Sequence, residues 1–338
     1  MALSMQVTRL KTSRMTAHPP ELQTDVAVID ARELRRRYGT RGRTEHEAVR
    51  GVSLQVRRGE LFALLGTNGA GKTSIVELLE GLAPPDGGQV RVLGHDPYRQ
   101  RAQVRPRTGM MLQSGGFPGD LTVAEVARFW ARCTRGARPV LEALEQVGLA
   151  HRRNVQVKQL SGGENRRLDL GLAVIARPEV LFLDEPTTGM DPEGRRDTWE
   201  LVRDLRDNGT TVLLTTHYLE EAAELADRLA IMKEGQVVAE GTAAEVVAKH
   251  PSRISFELPE GQSSESVPSL PGVRQRKAKG RHVTIQTEAL QETLTLLLAW
   301  AADTGVALER LDARSASLEE AFLAVAEGPS DALVGRAA

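Results

Sequence analysis

Three runs of uninterrupted apolar residues mark the first two thirds of the chain, at residues 61–65, 180–183 and 212–214. The first lies between a turn and a Gly-rich loop, the second precedes Asp184 and the third is similar, and each lies near a stretch with helical spacing. Continuous apolar runs of this length suit central strands of a parallel sheet covered on both faces. The helical stretches are residues 72–82, the segment after Asp191, and residues 219–229, whose stripe is Leu219, Ala222, Ala223 and Ala226. Strands alternating with helices predict an α/β core. Between the first two runs, residues 123–176 are dominated by helical periodicity with short breaks, which predicts a helical subdomain over about 115–176 inserted into the sheet's connectivity. Upstream, Val26, Val28 and Leu34 precede a Gly/Arg-rich turn at 38–43, and Val52, Leu54 and Val56 alternate beyond it. That pattern predicts a short, mostly antiparallel β section.

Beyond about residue 250 the composition changes, with Ser, Pro, Gly and Glu concentrated in 259–272, the mark of a boundary or long loop. Residues 283–285 and 306–311 then read as strands, and 288–301 and 317–326 as helices. The last helix carries an apolar face of Leu318, Phe322 and Val325. Together these make a small appended α/β module without a catalytic motif. Residues 1–25 contain Pro19-Pro20, no clear apolar period and no acid before Glu21, and Met5 and Met15 are alternative starts. This stretch reads as a disordered leader. The expected division is therefore a leader at 1–25, a main domain at 26–249 and an accessory module at 250–338.

At 338 residues and 41% hydrophobic content, the chain has apolar material for two domains. Lys and Arg total 44 against 45 Asp and Glu, so no net positive field draws it to nucleic acid or an anionic membrane. The longest apolar stretch, 294–302, is interrupted by Thr295 and falls short of the roughly 20 residues a membrane span requires. Cys133 is the only cysteine, which rules out an internal disulfide, and the N-terminus has no apolar signal core. A cytoplasmic location is the expectation.

Gly66, Thr67, Asn68, Gly69, Ala70, Gly71, Lys72 and Thr73 fit the phosphate-loop pattern, placed between an apolar strand and an apolar-periodic helix. Small residues let backbone amides approach phosphates, and the helix N-terminus adds its positive end. Lys72 reaches the β- and γ-phosphates and the Thr73 hydroxyl can ligate Mg²⁺. Ser74 belongs to the same candidate nucleotide-binding set.

Asp184 and Glu185 end the second apolar run, at the sheet edge where ligands of open α/β sheets collect. Asp184 suits a Mg²⁺ position, direct or through water, while Glu185 can orient and activate the attacking water. Ser161, Gly162, Gly163 and Glu164 open a helical run, with Ser161 as its N-cap and the Gly pair leaving amides open to an anion.

In order and spacing, the phosphate loop, Gln113, the 160–164 segment, Asp184-Glu185, Gly189-Met190-Asp191 and His217 resemble the ATP-binding cassette family over residues 26–242. The resemblance implies a P-loop NTPase (RecA-like) core carrying the antiparallel section and helical subdomain, with ATP and Mg²⁺ as cofactors. It implies that Tyr38 stacks on adenine, Gln113 senses Mg²⁺ and water, Ser161 to Gly163 form the signature, and His217 is the γ-phosphate switch. Glu164 and Asp191 fall in its nucleotide-binding set, and Thr73, Gln113 and Asp184 in its metal set. Two departures stand out, Glu164 where Gln is usual and Met190 where Leu is typical, while Asn165, itself an amide, stands where a basic or amide residue is common.

The stretch 215–227 and the late Ser317-Leu-Glu-Glu-Ala-Phe-Leu323 resemble drug-resistance ATPases of the daunorubicin/doxorubicin group. That resemblance implies an ATPase serving a separately encoded export permease at the cytoplasmic face of the membrane. In this family the signature of one subunit covers nucleotide on the phosphate loop of another, so a second ATPase subunit, in a homodimer, is implied. An importer subunit and a non-transport cytosolic ATPase are the alternatives. The second is opposed by a single cassette, no long heptad insertion and no basic stripe.

Overall fold

The computed structural model describes residues 27–39, 46–113 and 116–327. The expected leader, the 38–43 turn from residue 40 onward, the side chain of Val325 and residues 328–338 lie outside the described residues.

The described chain opens with an antiparallel pair, β1 (Ala27–Tyr38) and β2 (His46–Arg57), then enters β3 (Leu61–Gly66) and helix α1 (Lys72–Leu79). Sequence spacing extends α1 to residue 82, but Gly81 ends it with φ +68°. A Cβ on Gly81 would fall 2.2 Å from the Pro97 carbonyl, so only glycine makes this left-handed exit. Strand β4 (Gly87–Val92) returns to β1 and completes an antiparallel sheet in the order β2-β1-β4.

A short helix, α2 (Arg101–Val104), leads into β5 (Thr108–Met111). The helical subdomain follows as α3 (Val123–Cys133), α4 (Val140–Gln146) and α5 (Gly162–Ala173). Capping boxes start α3 at Thr122 and α5 at Ser161, each pairing a hydroxyl with a Glu three residues on. The chain then alternates β6 (Val180–Asp184), α6 (Pro192–Asp207), β7 (Thr211–Thr216), α7 (Leu219–Leu225), β8 (Arg228–Lys233), β9 (Gln236–Gly241) and α8 (Ala243–Ala248).

The central sheet has the order β5-β6-β7-β3-β8-β9. Its first five strands are parallel and only β9 runs antiparallel. Every residue of β3, β6 and β7 is buried, as their continuous apolar character requires. Helix α7 stops at Leu225, four residues before its expected end. Ala226 is already extended, and the Asp227 carboxylate accepts the Leu61 amide at 2.8 Å. Leu229 consequently lies in β8, and Ala223 is exposed while Ala222 and Leu225 are buried.

After α8 comes a second antiparallel sheet, β11-β12-β10-β13, built from β10 (Ser252–Glu257), β11 (Val273–Lys279), β12 (His282–Thr287) and β13 (Glu309–Arg314). The Ser/Pro/Gly-rich stretch is the loop between β10 and β11. Helix α9 (Leu290–Thr304) covers one face, packing Leu297 with Ile254, Phe256, Val283 and Ile285. The last strand begins three residues later than its apolar signal, because Val306 and Leu308 fill this core before the ladder starts.

Helix α10 (Leu318–Glu327) leaves that module and returns to the main domain. Leu318 and Ala321 join Ala63, Leu65, Leu229, Ile231 and Val246 in one buried cluster, with Phe322 at its margin. The apolar face of the last helix thus closes the core behind β3 and β8, not the core of the appended sheet.

Candidate active site

The loop from β3 to α1 turns on two glycines with positive φ, Gly69 and Gly71. A Cβ on Gly71 would lie 2.3 Å from the Ala48 carbonyl oxygen, which excludes every other residue there. Lys72, the first residue of α1, is buried, and its Nζ donates to the carbonyls of Gly66 at 2.8 Å and Thr67 at 3.3 Å. The same Nζ is 3.8 Å from Oε1 of Glu185. Burial lowers the pKa of the Lys72 ammonium below its ordinary value, and the carboxylates of Glu185 and Asp184 oppose that shift.

A cleft outside this loop is lined by Tyr38, Asn68, Gly69, Gly71, Lys72, Thr73, Ser74, Gln113 and Glu185. Tyr38 is pinned to α1: its hydroxyl donates to Glu77 Oε2 at 3.0 Å and lies 3.2 Å from Ser74 Oγ. The Arg36 guanidinium sits 5.0 Å from the centroid of its ring.

Asp184 closes β6, and the Thr215 hydroxyl donates to its Oδ1. Glu185, the next residue, has φ +49°, a left-handed conformation that costs a non-glycine residue about 1–2 kcal/mol. Its amide donates to the Thr215 carbonyl at 3.1 Å, and the Thr188 hydroxyl donates to its Oε2 at 3.3 Å. His217, just past β7, brings Nδ1 to 3.2 Å from Glu185 Oε1, an ion pair when the imidazole is protonated.

Ser161 to Glu164 and Asp191 do not line this cleft. Ser161 caps α5: its Oγ accepts the Glu164 amide at 3.1 Å, and Glu164 Oε2 accepts the Ser161 amide at 2.8 Å. Because Oγ serves as acceptor there, its O–H remains a donor. Burial raises the Glu164 pKa, but hydrogen bonds from Arg152 and the Ser161 amide outweigh it and leave the carboxyl below its ordinary value. A Glu at this position thus completes the box and stays charged at the helix N-terminus. The Gly162-Gly163 start faces Gly189 and Met190 of the same chain. Asp191 caps α6, accepting the Gly194 amide at 3.0 Å. Gly66 ends β3 and Ala70 is buried in the loop.

Two residues not singled out in the sequence brace the site. Glu221 is fully buried and accepts the Thr187 hydroxyl at 2.8 Å and the Trp199 indole N–H at 2.9 Å, holding the loop after Glu185 against α6. Arg166 of α5 donates to backbone carbonyls at the ends of β5 and β6. Neither carried a sequence signal: the stripe of Leu219, Ala222, Ala223 and Ala226 sets Glu221 on the opposite side of its helix, and the hydrogen-bond acceptors of Arg166 are all backbone.

Residues 49–188 match the family described as ABC transporter, and residues 252–317 match an ABC-like C-terminal domain. The daunorubicin resistance ATP-binding protein DrrA3 of Streptomyces coeruleorubidus is 41% identical over 312 residues, covering 88% of this chain and 95% of that protein. This chain belongs to the ABC transporter ATP-binding family. The Nod factor export ATP-binding protein I of Burkholderia orbicola is 42% identical over 222 residues, covering 64% of this chain and 71% of that protein. A dimeric, post-hydrolysis ATP-binding cassette, MJ0796 with ADP and Pi, superposes with a TM-score of 0.58 at 24% identity. It covers 63% of this chain and 98% of its own, so the shared fold is the cassette. As an ABC ATPase the chain binds and hydrolyses ATP. Among the described residues no helix is long and apolar enough to cross a membrane.

Proposed function

We propose that this chain is the ATPase subunit of an export system, powering a separately encoded membrane permease for drug, other small-molecule or lipid efflux from the cytoplasmic face. Likeness to the daunorubicin resistance and Nod factor export proteins supports the export direction. The observation that carries the chemistry is the single cleft in which Lys72, Gln113 and Glu185 converge, with His217 beside the Glu185 carboxylate.

In this reading the amides of 67–73 receive the phosphates, Lys72 neutralises the β- and γ-groups, and Tyr38 offers its ring to adenine. Thr73, Gln113 and Asp184 form an all-oxygen set of hydroxyl, amide carbonyl and carboxylate, which suits Mg²⁺. When bound, Mg²⁺ neutralises charge developing on the β- and γ-phosphate oxygens. Glu185 orients the attacking water and accepts its proton, and His217 meets the γ-phosphate. Ser161, Gly162 and Gly163 do not line their own chain's cleft, which supports their serving the nucleotide of a second copy. The γ-phosphate, held from both sides, closes a homodimer, and its release lets the dimer reopen.

The test is affinity purification of the tagged chain from detergent-solubilised membranes. A polytopic membrane protein should co-purify, and export should stop when Lys72→Ala replaces the native chain. Exclusive recovery with soluble or chromosomal partners would contradict the proposal.

A further inference from the structure

Arg166 occupies the second turn of α5, the helix whose cap is Ser161, and its side chain is only 13% exposed. Its Nη1 donates to the carbonyls of Leu112 at 2.9 Å and Gln113 at 3.3 Å. Its Nη2 donates to those of Asp184 at 3.0 Å and Glu185 at 2.6 Å. Strands β5 and β6 are parallel neighbours, so one planar guanidinium bridges the C-terminal exits of two adjacent strands. One exit carries Gln113 and the other carries Glu185. Asp169, one turn further along α5, pairs with the same guanidinium, its Oδ2 3.6 Å from Nη1.

Glu185 leaves β6 with φ +49°, a conformation that persists only when its surroundings over-determine it. The Thr215 carbonyl holds its amide, and Arg166 holds its carbonyl. With both ends of the residue fixed, the carboxylate is aimed at Lys72 and His217 instead of following the strand.

We propose that Arg166 is a positioning residue for ATP hydrolysis: its guanidinium locks the left-handed backbone of Glu185 and ties it to Gln113 and to the helix that presents Ser161. The inference rests on the roles given to Glu185 and Gln113 in the proposed function. It makes the orientation of α5, which meets the nucleotide of a second copy, a condition for the geometry of the chain's own water-activating carboxylate. A Lys at 166 concentrates its donors at one point and cannot span two pairs of carbonyls, so charge alone does not substitute.

The experiment measures ATP affinity and kcat for the full-length Arg166→Ala, Arg166→Lys and Glu185→Gln proteins, with circular dichroism to confirm folding. ATP affinity should stay within about twofold in both Arg166 variants, while kcat falls by about 100-fold, the scale of a misplaced reacting group. Methylguanidinium should restore part of the turnover of Arg166→Ala and leave the wild type unchanged, a response a merely structural loss would not give. Should Arg166→Ala fail to fold, Arg166→Lys carries the test. Wild-type kcat in either folded Arg166 variant beside an inactive Glu185→Gln overturns the positioning role alone. Wild-type turnover by Glu185→Gln overturns the base assignment on which it rests.

Discussion

Nδ1 of His217 lies 3.2 Å from Oε1 of Glu185, although the two residues leave different strands of the central sheet. Strands β6 and β7 are parallel neighbours, so the residues that follow them emerge side by side at the same edge. That geometry sets the His217 imidazole beside the carboxylate proposed to activate water.

Removing the imidazole should therefore impair turnover more than binding. For His217→Ala, kcat is expected to fall at least about tenfold while ATP affinity changes little. Ser161→Ala should behave alike, with an added stability loss of about 1 kcal/mol from the missing cap of α5. Equilibrium ATP binding and steady-state hydrolysis separate the two effects; equal losses in both would place these residues in other roles.

Glu80 predicts a pH dependence of stability. It is buried, neither carboxylate oxygen has a hydrogen-bond partner, and burial, reinforced by Asp184 and Glu77, pushes its pKa up to about 8. In the folded chain Glu80 holds its proton at pH values where the unfolded chain has lost it, so its contribution is complete below about pH 4.5 and is lost as pH rises to about 8. Glu80→Gln, a neutral isostere, should leave stability nearly unchanged near pH 4.5 and raise it at pH 8. Denaturant midpoints at the two pH values check this, and an equal shift at both contradicts it.

The last helix predicts an asymmetry between two halves of the C-terminal region. Leu318→Ala removes a buried side chain from the cluster behind β3 and β8 and should cost the cassette about 2 kcal/mol. A chain ending near residue 250 exposes the same cluster and should melt at lower temperature, even though the phosphate-handling residues remain. Unchanged thermal midpoints for both would show that α10 does not support the cassette.

Much of this was legible in the sequence because it rests on local rules. The runs at 61–65, 180–183 and 212–214 became the fully buried strands β3, β6 and β7, as suits a sheet covered on both faces. The phosphate loop was legible for a similar reason: Gly71 has no room for a Cβ. Boundaries were less so. Residues 219–229 keep a helical apolar period through a point where Asp227 diverts the chain into β8, because an apolar residue at position 229 suits either element. Partners were hidden altogether. An amphipathic pattern says that α10 buries Leu318 and Phe322, not that the burial is against the cassette. The acceptors of Arg166 are four backbone carbonyls, which no side-chain motif records.

Lys72 and Glu185 lie 3.8 Å apart, and size-exclusion chromatography of two variants with ATP and Mg²⁺ separates the phosphate binding proposed for the first from the water activation proposed for the second. Lys72→Ala removes the charge that holds the phosphates and should stay monomeric without turnover. Glu185→Gln keeps binding but loses the proton acceptor, and should retain ATP and elute as a closed dimer. A Glu185→Gln protein that remains monomeric and hydrolyses ATP at the wild-type rate would contradict the account.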